Sequence, residues 1–228
     1  VLRSNPFGAV NVPLQQLLAD RFGVPAIVDH DACFGAGAEA ADGAAADVTH
    51  FIYFSVNTTT HADDHNALAA YGSALFLQGR IYRGAFYGAG ELSAPLEPAP
   101  MDLTDAHLAA LTDADGAMPA PLIELAERIG RAVAPMINLV DVQMVVLAGT
   151  VQIVNRRFIA AVQAAVTERL VAIPGRAVRV VRSAWEPEAP ARGAAIGVFD
   201  HLIAEGQLFD DRPAAAPRLT STDSALLA

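Results

Sequence analysis

The chain has 228 residues, 53% of them hydrophobic, and a formal net charge of -10, so it can bury a sizeable core as one large domain or as one domain plus part of another. All fifteen cationic side chains are arginine, which excludes a catalytic lysine, a Schiff base and a phosphate-loop lysine, while the acidic balance argues against a surface that neutralises nucleic-acid phosphates. The single cysteine, Cys33, excludes an internal disulfide and a multi-cysteine zinc site.

In chain order, "NVPLQQLLADRFG" predicts a helix, with Pro13 in its first turn and Gly23 as its stop. "VPAIVD" predicts a short buried strand. From Asp31 to about Ala41 the residues are small and helical, so Asp29, His30 and Asp31 fall at a strand-to-helix turn. "HFIYFSV" predicts a strand, and "SALFLQGRIYRG" a hairpin turning at Gln78-Gly79. Pro98 to Pro121 predicts a loop with one short helix near "DAHLAALTD". "PLIELAERIGRAVAPMINLVD", "QMVVLAG", "NRRFIAAVQAAVTERL", "RAVRVVRS" and "APARGAAIGVFDHLIAEG" then alternate helix, strand, helix, strand, helix, the signature of an α/β fold with parallel pairing. The last twenty or so residues predict a tail.

No apolar run approaches the ~18 residues of a spanning helix, and no leader pattern opens the chain. A cytoplasmic protein without membrane contact is therefore expected. The start on Val1 rather than Met leads us to expect further residues upstream.

Taken alone, Asp31 suits a helix N-cap, and His30 suits a packed histidine bonded to a carbonyl as well as it suits a ligand. Gly88 and Gly90 would let the backbone near Glu91 approach a ligand. "HADDH" places His61 and His65 four apart with carboxylates between them, a spacing that fits a metal site, although a solvated loop explains it better. Cys33 is expected to be a small buried residue, Trp185 to serve packing, and Arg156 and Arg157 to lie on a solvated helix face.

Four stretches in this order resemble the ROK family, named for repressor, open reading frame and kinase: "GVPAIVDHDACFGAGAE", "GRIYRGAFYGAGEL", "INLVDVQMVVLAGTV" and "SAWEPEAPARGAAIGVFDHL". The resemblance runs from about Leu2 to Gly206. It implies an actin-like, ribonuclease-H-like ATPase fold, a mixed sheet flanked by helices, with residues 1–30 leading out of a first lobe, 31–206 forming the C-terminal lobe and 207–228 a tail. Asp31 matches the carboxylate that deprotonates the sugar hydroxyl in family kinases, and its place at a helix start favours the charged form. His30 stands where the family has a sugar-binding Asn, and Cys33 where it has another. Glu91 matches the sugar-binding Glu, after Gly90.

The kinase features are depleted. Leu92, Ser93 and Ala94 replace the continuation that carries a zinc-binding His, and no cysteine-rich loop follows, so no zinc is expected. "NTTTHADDHNALAAYGS" replaces a Gly-Thr-Gly-x-Gly phosphate loop and keeps only Gly72 of its glycines. The adenosine-side glycine pair is reduced to Gly149, and the first-lobe phosphate loop is absent.

The resemblance therefore implies the sugar-sensing lobe of a homodimeric ROK-type regulator. His30, Asp31, Gly90 and Glu91 would hold a sugar or sugar phosphate, no cofactor would be bound, and DNA would be contacted through an upstream segment. The alternative is an ATP- and magnesium-dependent hexose or N-acetylhexosamine kinase with Asp31 as general base. A degenerate scaffold that binds no ligand is a third reading.

Overall fold

The computed structural model describes residues 3–4, 9–60, 67–92, 105–112, 116–149 and 156–204. The chain divides into two compact units, Val1–Asp29 with Gly197–Ala228, and His30–Ile196. The predicted tail, 207–228, and the "HADDH" run lie outside the described residues.

In the first unit, strands β1 (Arg3–Ser4) and β2 (Ala9–Val10) pair antiparallel. Helix α1 (Leu14–Phe22) follows Pro13 and ends at Gly23, whose left-handed φ of 67° returns its N-H to the Ala19 carbonyl. The predicted "VPAIVD" strand does not form: residues 25–30 have no regular secondary structure. Its apolar, β-branched composition was a sound signal, but a strand exists only through ladder partners, and none pairs with it among the described residues.

The second unit is built on a mixed five-stranded sheet. After helix α2 (Asp31–Asp42) come β3 (Phe51–Thr60), β4 (Ala67–Leu77) and β5 (Arg80–Tyr82), then helices α3 (Asp105–Thr112) and α4 (Ala120–Val140). Strand β6 (Met144–Ala148), helix α5 (Arg156–Glu168), strand β7 (Arg179–Arg182) and residues 189–196 of helix α6 (Ala189–Ala204) complete this unit. The sheet order is β5-β4-β3-β6-β7, antiparallel on the β5-β4-β3 side and parallel across β3, β6 and β7. The hairpin between β4 and β5 turns through left-handed Gln78 and Gly79, at φ 55° and 75°, as a two-residue loop requires.

Period-two alternation along β3 feeds two cores. Ile52, Phe54 and Val56, with Val145 and Leu147 of β6, meet Leu122, Leu125, Ile129 and Val133 of α4 and Phe158, Val162 and Val166 of α5. Phe51, Tyr53, Met144, Val146 and Ala148 face the other way, onto Ala32, Cys33 and Ala36 of α2. Small residues set how closely α2 approaches: a Cβ at Gly35 would lie 2.4 Å from the Tyr53 ring. Cys33 is buried there, as its apolar character predicts. No helix of the described residues is long and apolar enough to cross a membrane.

Candidate functional site

The N-cap position of α2 is occupied by His30, in extended backbone, and Asp31 is the first helical residue. The N-cap position expected for Asp31 therefore falls to its neighbour, whose side chain makes no capping hydrogen bond. One Asp31 oxygen, Oδ1, accepts the Ala32 N-H at 2.8 Å and lies 3.5 Å from His30 Nε2. The His30 side chain is 45% exposed and that of Asp31 70%, so His30 is no packed core histidine and both groups are reachable from solvent.

Gly72 of β4 makes room for this helix start. A Cβ there would lie 3.2 Å from Ser55 Oγ and 3.3 Å from His30 Cε1. Gly72 thus serves close packing of the start of α2 on β4.

Beside Asp31 opens a cavity of about 210 Å³. Its polar wall consists of Asp31, Tyr53, Ser55, Asn57 and Glu186, and Pro187 and Pro190 close one side. The buried Tyr53 hydroxyl donates to Glu186 Oε1. Burial pushes this phenol far above its ordinary range, and the Glu186 carboxylate pushes in the same direction. Tyr53 therefore remains a proton donor and fixes one oxygen of Glu186.

The segment carrying Glu186 is clamped from below by Glu39, a fully buried residue of α2. Glu39 Oε1 accepts from the Ser183 hydroxyl, from Ala184 N-H at 3.0 Å and from Trp185 N-H at 3.2 Å. Its Oε2 accepts from Ala44 N-H at 2.7 Å. A buried carboxylate is tolerated when donors surround it in this way. Trp185 lies under the Arg192 guanidinium, 3.8 Å from its ring centre, and Arg192 pairs with Asp42, so this tryptophan serves packing as expected.

Gly90 and Glu91 are organised by the sheet edge. Gly90 has φ 92°, and a Cβ there would lie 2.5 Å from the Ser73 carbonyl oxygen. Ser73 Oγ donates to the Gly90 carbonyl at 2.5 Å. The glycine is required for its approach to β4, and Glu91 is left exposed. His30 and Gly90 thus touch consecutive β4 residues, Gly72 and Ser73, but the second carboxylate in the cavity wall is Glu186, not Glu91. Gly149, at φ 81°, is similarly packed: a Cβ there would lie 2.5 Å from the Val56 carbonyl oxygen and 2.7 Å from Asn57 Oδ1. Among the described residues, no group of three or more His, Cys, Asp or Glu side chains could hold a metal ion. Arg156 and Arg157 are exposed on α5, as expected.

Sequence reasoning missed Glu186, Tyr53 and Glu39 as site residues. The only sequence signal for Glu186 was its proline-flanked place in "WEPEAP" at a strand-helix connection.

The family model described as ROK matches residues 1–93 and 92–200. The chain belongs to the ROK family. No curated protein matches it significantly in sequence. Among solved structures it is similar to a ROK family transcriptional regulator, a homologue of the E. coli MLC protein, at TM-score 0.68 and 18% identity over 90% of this chain and 60% of that one. It is also similar to a ROK family glucokinase from Streptomyces griseus, solved with glucose and AMPPNP, at TM-score 0.66 and 19% identity over 86% of this chain and 75% of that one. A ROK hexokinase from Thermus thermophilus matches at TM-score 0.59 and 20% identity, over 84% and 71%. Identities this low show the ROK fold, actin-like and α/β, and the chain spans 60% of the regulator's length. Regulators and sugar kinases share that fold.

Proposed function

We propose that this chain is the sugar-sensing lobe of a ROK-type transcriptional regulator in which kinase chemistry has been lost. Asp31 accepts hydrogen bonds from sugar hydroxyls in the cavity, and His30, Gly90 and Glu91 belong to the same binding region beside β4. The single observation that carries the reading is the path of β3. Where family kinases have a glycine loop whose N-H groups converge on phosphate, residues Asn57, Thr58, Thr59 and Thr60 run in regular register with Ala70, Ala69, Leu68 and Ala67. A paired strand points successive N-H groups in opposite directions, so it cannot form an anion nest.

The residues present favour a site without nucleotide: Gly149 is packed against Val56 and Asn57, and Glu186 puts a negative charge beside Asp31, where it would repel a nucleotide phosphate. No catalytic step is assigned. The protein acts instead by differential binding: sugar favours one arrangement of lobes or of subunits in a homodimer and so biases a DNA-binding segment elsewhere in the protein. A cytoplasmic site of action and the absence of zinc belong to the same reading.

Thermal unfolding of the full-length protein against a panel of hexoses and N-acetylhexosamines tests it. At a hundred times Kd, a ligand of this site should raise Tm by about 5–10 °C, and Asp31→Ala should remove the rise. An unchanged rise in the variant excludes Asp31 from the site.

The kinase reading keeps one observation in its favour, an Asp31 carboxylate at a helix start opening into a cavity that also holds Ser55 and Asn57. Incubation with sugar, ATP and magnesium should give no sugar phosphate. Steady turnover abolished by Asp31→Asn would make the protein a kinase.

A further inference from the structure

We propose that Glu186 makes the cavity selective for a free sugar over its phosphate; this rests on the reading of the cavity as a sugar site. The wall is rich in acceptors. Asp31 and Glu186 contribute carboxylates, the Tyr53 hydroxyl donates to Glu186 and the Ser55 hydroxyl to the Gly72 carbonyl at 3.3 Å, Asn57 adds an amide, and no arginine is among its described residues. Sugar hydroxyls bring donors and match such a wall. A phosphate brings only acceptors and negative charge, and protein sites hold it with arginine, lysine or converging backbone N-H groups.

The neighbouring arginine does not alter this balance: Arg192 lies on the Trp185 ring and is paired with Asp42.

Glu186 is also held in place. Tyr53 fixes one of its oxygens, Glu39 fixes the N-H groups of Ala184 and Trp185 just before it, and Pro187 limits the backbone just after it. A carboxylate so restrained cannot swing out to relieve repulsion, and a built-in repulsive group is how a site rejects a close analogue of its ligand. The replaced glycines remove a phosphate site, and Glu186 adds a charge against phosphate.

Isothermal titration of the full-length protein with glucose, mannose and N-acetylglucosamine, each beside its 1- and 6-phosphate, tests the proposal. For whichever sugar binds, the free form should bind at least about a hundredfold more tightly than either phosphate, and Glu186→Gln should shrink that ratio by about tenfold. The amide keeps an acceptor for Tyr53, and the melting temperature reports whether the variant folds; if it does not, the wild-type ratio decides alone. A phosphate that binds as tightly as its free sugar, or a ratio unchanged in a folded Glu186→Gln, overturns this selectivity while leaving the sugar site standing. If none of the sugars or phosphates binds, the sugar reading falls and this inference falls with it.

Discussion

Helices α4 and α5 cover one face of the sheet with Leu122, Leu125, Ile129, Val133, Phe158 and Val162, all fully buried. On the other face α2 offers Ala32, Gly35, Ala36 and Ala38, and polar groups do much of the joining there: Glu39 to Ser183, and Tyr53 to Glu186. Large side chains fill one interface. The other uses small residues to bring backbones close and charged hydrogen bonds to fix loops, and the cavity opens on that side. A tightly filled interface leaves no room for a ligand, whereas a helix that packs through alanine and glycine can leave a polar hollow at its end.

Three substitutions separate the two faces. The largest effect is expected from Phe158→Ala, which should cost about 3–5 kcal/mol in urea unfolding and leave sugar affinity unchanged in the folded fraction. A loss of affinity there would mean that the apolar face contributes to the site.

Glu39→Ala should cost about 2–4 kcal/mol, because the Ala44, Ala184 and Trp185 N-H groups and the Ser183 hydroxyl lose their acceptor in a dry setting. It should also weaken sugar binding, since the same bonds fix the loop that carries Glu186. Loss of stability without loss of affinity would detach that loop from the site.

The smallest effect is expected at the rim. The Arg192 guanidinium beside Asp42 holds this exposed carboxyl below its usual range. A carboxyl whose folded pKa is depressed adds stability above its unfolded pKa, about 3.9, and loses that contribution as pH falls through the folded value. Asp42→Asn should therefore be slightly less stable than wild type at pH 7, and the gap should narrow as pH falls below about 3.9. Unfolding curves at pH 7 and pH 3 check this; a gap as wide at pH 3 as at pH 7 would point to packing as its cause.

Much of the second unit was legible in the sequence because local pattern and tertiary outcome agree there. "HFIYFSV", "QMVVLAG" and "RAVRVVRS" became the parallel core strands, and Gln78-Gly79 became the hairpin turn. "VPAIVD" misled because apolar β-branched residues mark a capacity to pair, while pairing itself is settled by partners far along the chain. The site was legible only in part. Asp31 announces itself at a helix start after an apolar run. Glu186 does not, because its role depends on Tyr53, 133 residues away. Glu39 sits among alanines with no polar neighbour to mark it, and its partners at Ser183, Ala184 and Trp185 lie 144 to 146 residues on. Gly72, Gly90 and Gly149 look in sequence like remnants of ligand loops, yet each is explained by close contact with a strand, a side chain or a backbone carbonyl.

A crystal structure of the full-length protein grown with the hexose that most raises its melting temperature tests the central claim directly. Sugar hydroxyls should lie within about 2.6–3.2 Å of Asp31 and Glu186, in the cavity between α2 and the end of β3. A sugar bound elsewhere, with only solvent beside those two carboxylates, would contradict the account.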